Sequence, residues 1–69
     1  MKEISIETEY IKLDQLLKLI GIAQTGGQAK MIISEGNIMV NKEVAYERGK
    51  KIRKNDIVEI EGYGVYKIK

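Results

Sequence analysis

The chain contains no cysteine, histidine, phenylalanine or tryptophan. Without cysteine it can build neither a disulfide framework nor a thiolate metal site, and without histidine it lacks the commonest metal ligand and the commonest general base. No metal and no cofactor are therefore expected. Aromatics are limited to Tyr10, Tyr46, Tyr63 and Tyr66. Long apolar runs are missing as well: Met1 to Ile6 include Lys2 and Glu3 where a signal peptide needs roughly 7 to 15 apolar residues, and nothing downstream approaches a membrane span. A soluble cytoplasmic protein that does not engage a membrane is expected. Its 69 residues permit one domain, 1–69. A domain so small leaves much of its surface exposed, so its core is marginal and a deep catalytic cavity is not expected. Stability has to come from packed isoleucine, leucine and valine.

Charge is what the chain does have, unevenly spread. Residues 1–24 hold three lysines against four acids, residues 25–56 hold seven cations against four acids, and residues 57–69 balance. Within the second stretch Lys42, Arg48, Lys50, Lys51, Arg53 and Lys54 face only Glu43 and Glu47 between Asn41 and Lys54, a local charge of +4 in a chain of +2 overall. A run of charge can be a solvated face, but one this concentrated is also the footprint of a surface that meets phosphate.

Glu3-Ile4-Ser5-Ile6-Glu7 alternates with period two, which predicts a short half-buried strand. From Lys12 the period changes: Leu13, Leu16, Leu17 and Ile20 form the apolar stripe of a helix, with Asp14 near its start and Gly21 placed to end it. Lys12, Gln15 and Lys18 lie off that stripe. Thr25-Gly26-Gly27-Gln28 matches a capping box and predicts a second helix, with Ala29, Ile32 and Ile33 inside, Lys30 and Ser34 on another face, and Gly36 as the stop. Strand spacing follows. Ile38 and Val40 alternate before a tight turn at Asn41-Lys42-Glu43. Ala45 to Lys51 form an arm, Arg53 to Asp56 a turn, Ile57 to Glu61 a strand, and Gly62-Tyr63-Gly64 a hairpin loop into Val65 to Ile68. The predicted class is α+β, with the helices on one face of a small sheet.

Gly26 and Gly27 at a helix start offer free N–H groups, the positive end of the dipole and close approach to an anion; the alternative is an ordinary cap. Lys30 can extend such a contact, while Gln28 is chiefly a capping residue. Lys42, Arg48, Lys50 and Lys51 are the strongest phosphate ligands, since a flexible cationic stem needs only proximity and the arginine fork can hold two oxygens. Arg53 and Lys54, in a turn, read as solvated. Tyr46 can stack on an unpaired base or cover a sheet edge. Tyr63 and Tyr66 read as packing, and Tyr10 as leading into helix one. Glu43 and Glu47 could pair, but among lysines in a loop a raised carboxyl pKa is not expected, so no catalytic residue and no enzyme is predicted.

Lys12-Leu13-Asp14, Leu16-Leu17, Gly21-Ile22-Ala23, Ala29, Ile32-Ile33, Gly36, Ile38-Met39-Val40-Asn41, Val44, Ile52 and Asp56-Ile57-Val58 together resemble the S4 domain, an RNA-binding module. The resemblance covers residues 12–61, with flanking strands at both termini, and the Thr25 to Lys30 stretch resembles the small stand-alone bacterial members associated with ribosome maturation. It implies an S4-like (αL motif) fold: two short helices on a small, twisted, mainly antiparallel sheet, with an added N-terminal strand. It also implies binding of structured RNA, ribosomal RNA of the large subunit above all, on a basic face formed by helix two and the following loop; the candidate contacts are Lys12, Gly26, Gly27, Gln28, Lys30, Lys42, Arg48, Lys50 and Lys51, with Tyr46 for stacking, on a protein expected to be a monomer. Two positions depart from the pattern. Many S4 domains have serine then arginine where this chain has Thr25 and Gly26, and glycine after the turn asparagine where this chain has Lys42. The first loses a phosphate ligand and the second adds a cation. A reading from another class is an interaction module whose basic loop docks on an acidic protein.

Overall fold

The computed structural model describes residues 1–69. Along the chain run β1 (Lys2–Ile4), β2 (Tyr10–Lys12), α1 (Leu13–Leu19), α2 (Gly26–Ser34), β3 (Ile38–Val40), β4 (Glu43–Val44), β5 (Lys51–Arg53), β6 (Ile57–Ile60) and β7 (Gly64–Ile68). The architecture is α+β as expected, two helices with a mainly antiparallel sheet. Five strands lie in the order β1-β7-β6-β3-β4, with β1 parallel to β7 and every other pair antiparallel. A separate ribbon, β2 with β5, was not anticipated.

Both helices stop where glycine allows it. Gly21 and Gly36 follow the last helical turns at φ of +81° and +78°, in the left-handed region that other residues resist. The Ile22 and Ala23 amides then both donate to the Leu17 carbonyl, at 3.0 and 3.1 Å, tying the connecting loop to the end of α1. Alternation on the strands sends Ile38, Val40, Val58, Ile60, Tyr66 and Ile68 inward, where they join Leu13, Leu16, Leu17, Ala29 and Ile33 in one apolar cluster. Each fully buried aliphatic side chain there contributes about 1.5 to 3 kcal/mol. Ile20 and Ile32, expected in the core, are only half-buried because they sit at the edge of their stripes. Tyr66 is buried as packing requires, but Tyr63, at the tip of the β6–β7 turn, is 55% exposed.

The predicted N-terminal strand is shorter than its alternation implied, ending at Ile4. Pairing nevertheless continues past it: the Lys69 amide donates to the Ile4 carbonyl at 2.9 Å, the Ile6 amide donates to the Lys69 carbonyl at 2.8 Å, and Ile6 is buried.

The turn between β3 and β4 has only two residues, Asn41 and Lys42, at φ of 51° and 74°. Both are left-handed, as a tight hairpin requires for strands of natural twist. Asn41 suits this and is anchored further. Its side-chain carbonyl accepts from the Ile57 amide at 2.9 Å, and its amide nitrogen donates to Asp56 at 3.1 Å. The same Asp56 carboxylate accepts from the Arg53 amide at 2.8 Å, so one carboxylate fixes two turns.

Candidate functional site

Basic residues gather at the start of α1 for a backbone reason. The first amides of a helix have no partner within it, and here the arm supplies two. The Leu13 amide donates to the Lys50 carbonyl at 2.9 Å, and the Asp14 amide to the Arg48 carbonyl at 3.0 Å. No side chain caps this helix; its N-cap, Lys12, is extended. The arm is thus stapled to α1 by main chain alone, which leaves the side chains of Arg48 and Lys50 free and exposed. Lys12 and Lys51 stand opposite each other across β2 and β5. Lys12 therefore belongs to a strand and a cap, not to the helix, and Lys51 to a strand, not to the arm. Arg53 is also in β5 rather than in a turn, and Tyr10 is in β2. None of Lys12, Arg48, Lys50, Lys51 and Arg53 has a carboxylate partner; the two ion pairs of the chain are Lys42 with Glu59 and Lys69 with Glu3.

Lys42 differs from the others. Its ammonium lies 2.8 Å from Glu59, whose side chain is one-fifth exposed, and the hydrogen bond and charge of Glu59 raise the Lys42 pKa above its ordinary value. A cation already held by a carboxylate is a poorer phosphate ligand than its free neighbours. The pairing also gives Lys42 a local reason to occupy a left-handed position where glycine would be less strained.

A second group lies at the start of α2, beyond the loop tied to the other end of α1. No hydrogen bond or ion pair joins it to the arm. Thr25 Oγ1 accepts from the Gln28 amide at 3.1 Å, as the capping pattern predicts. The return bond is displaced by one residue: Gln28 Oε1 accepts from the Gln24 amide at 2.8 Å, not from that of Thr25. The Gly26 and Gly27 amides are left without a partner. Glycine is not forced there by packing, for a methyl group on Gly26 would meet nothing within 4 Å and one on Gly27 only Thr25 Oγ1 at 3.9 Å. Lys30 is exposed on the next turn. Thr25→Ala should cost about 1 kcal/mol in chemical denaturation by removing the acceptor for the Gln28 amide; unchanged stability would remove the cap.

Tyr46 is 66% exposed, and its ring edge lies where a side chain on Gly36 would sit, with Cε1 3.5 Å from an added methyl. It covers the end of α2 while leaving most of its surface open. Lys12, Lys51 and Arg53 are the basic positions whose strand placement local pattern does not reveal, while Tyr10 leads into α1 as expected but from a strand; the signal is the polar-apolar-polar pattern shared by Tyr10-Ile11-Lys12 and Lys51-Ile52-Arg53, too short to stand out.

Comparison with known proteins adds three findings. A model of the S4 domain family matches residues 4–69. Over 65 residues the chain is 48% identical to the "Probable ribosome maturation protein RlbA" of Bacillus subtilis (strain 168), spanning 94% of this chain and 92% of that one. The solution structure of YbcJ from E. coli, described as revealing an alfaL motif involved in RNA-binding, is similar with a TM-score of 0.72 and 30% identity, over 99% of this chain and 86% of that one. No helix is long and apolar enough to cross a membrane.

Proposed function

The chain belongs to the S4 domain family, and from that premise we propose that it binds structured RNA without catalysis, as a single monomeric domain acting in the cytoplasm in maturation of the large ribosomal subunit. The observation that carries the reading is the convergence of Lys12, Arg48, Lys50 and Lys51 on one end of α1, none of them in an ion pair although Asp14 and Glu47 belong to the same segments. Cations without ion-pair partners, held together by main-chain bonds, repel one another, and an RNA backbone relieves that repulsion. The similarity to a ribosome maturation protein and to a structure with an RNA-binding motif supports the choice of partner and process.

In this reading the arm holds phosphates, and the free amides of Gly26 and Gly27 with Lys30 form a second, separate contact on the same RNA. Lys42 contributes less because of Glu59. Gln28 serves the cap, and Tyr46 has the exposed ring that stacking on an unpaired base requires.

Gel mobility of ribosomal RNA fragments over a salt series tests this. Five free cations, Lys12, Lys30, Arg48, Lys50 and Lys51, should give log affinity falling against log salt with a slope of about −3.5 to −4.5, from about 0.7 to 0.9 per phosphate contact. RNA left unbound at low salt, with capture of an acidic protein instead, would transfer the basic arm to protein docking.

A further inference from the structure

The register of β2 and β5 sets Tyr10 opposite Arg53, Ile11 opposite Ile52 and Lys12 opposite Lys51. Ile52 is fully buried and Ile11 packs against the core, so alternation turns the other four side chains to the outer face. Like charges directly opposite each other weaken a strand pair, and Lys12 with Lys51 is such a pair. Arg53 adds a third positive charge on that face, and no carboxylate pairs with any of the three. A ribbon of three residues per strand has few bonds with which to offset the repulsion. Two of the cations are nevertheless held in place: the Lys51 ammonium lies 4.9 Å from the centre of the Tyr10 ring, and the Arg53 guanidinium carbon 5.7 Å.

We infer that the outer face of this ribbon is a phosphodiester-binding subsite in which Lys12, Lys51 and Arg53 hold consecutive backbone phosphates and Tyr10 positions two of them. It rests on the RNA-binding reading above and extends the contact from the arm across β2 and β5 to Arg53, a sixth cation that takes the expected parental slope to about −4.2 to −5.4. Pre-placing a flexible lysine and an arginine against an aromatic face lowers the ordering cost of binding, which gives Tyr10 a role through its neighbours rather than by touching RNA. The planar guanidinium of Arg53 can donate to two phosphate oxygens at once.

The test uses the full chain and a structured ribosomal RNA fragment, with melting temperature recorded for each variant. Arg53→Ala should fold normally and lose about 0.7 to 0.9 of the salt slope, while Arg53→Lys keeps the slope. Tyr10→Leu should weaken binding by about 2- to 5-fold, equivalent to one exposed cation–π contact, with an unchanged slope because every charge remains; Tyr10→Phe, which keeps the ring face, should bind as the parent does. If Tyr10→Leu does not fold, the two Arg53 variants decide alone. Parental affinity and slope in Arg53→Ala, in a protein that binds RNA, would overturn the subsite and leave the arm in place. Absence of RNA binding by the parent would overturn both.

Discussion

Leu17→Ala is expected to cost roughly 2 to 5 kcal/mol and to lower the melting temperature by about 8 °C or more. Leu17 has no exposed surface and belongs to the apolar cluster that both helices share with the sheet. Its carbonyl also receives the two amides that lock the connecting loop, so a cavity here loosens the segment that sets α2 against α1. The chain of 69 residues has little stability in reserve. Ile20→Ala is the internal control. Its side chain is half-buried, so removal leaves a smaller void that water or neighbours can fill, and the loss should be clearly less. Equal losses for the two variants, or a parental melting temperature for Leu17→Ala, would mean that α1 does not bury the face assigned to it.

The helices were legible because their signals are local. Leu13, Leu16 and Leu17 share one stripe, Thr25 caps through its own hydroxyl, and Gly21 and Gly36 adopt the left-handed conformation that makes glycine a stop. The inner faces of β3, β6 and β7 were legible by alternation. The ribbon was not. Its two strands have three residues each, one apolar residue apiece, and partners more than thirty residues apart, so neither meets the length or composition by which a strand is recognised. Missing the ribbon had a consequence for the site. Local pattern alone assigns Lys12 to a helix, Lys51 to an arm and Arg53 to a turn, although all three share one outer face.

Charge counting likewise located the arm but could not sort its members. Lys42 looked like Lys50 and Lys51 in sequence, yet a hairpin turn carries it to Glu59, seventeen residues away. The α2 start was identified as a cap, while its separation from the arm depends on bonds between the connecting loop and Leu17 that no local pattern announces. Two groups, one stapled to the start of α1 and the other beyond the loop tied to its end, suit a ligand with several phosphates better than a single anion. That agrees with recognition of RNA by the shape of its backbone rather than by base edges.

Replacing Lys50 and Lys51 together by alanine is expected to remove RNA binding in large part while leaving the fold intact. The structural role of Lys50 is its carbonyl, which accepts from the Leu13 amide and survives the substitution. Lys51 keeps its place in the β5 ladder through its main chain, and the loss of its side chain gives up the contact with the Tyr10 ring while relieving a like-charge contact with Lys12. Exposed charges of this kind contribute little to stability, and the melting temperature should hold. Binding should behave otherwise. Two lost phosphate contacts should lower the salt slope by about 1.4 to 1.8, with the affinity gap from the parent widest at low salt. Arginine at both positions preserves the charge and should largely preserve binding, which separates phosphate contact from a packing effect. A correctly folded double-alanine protein with parental affinity and slope would move the RNA surface away from the arm, leaving the start of α2 as the remaining candidate.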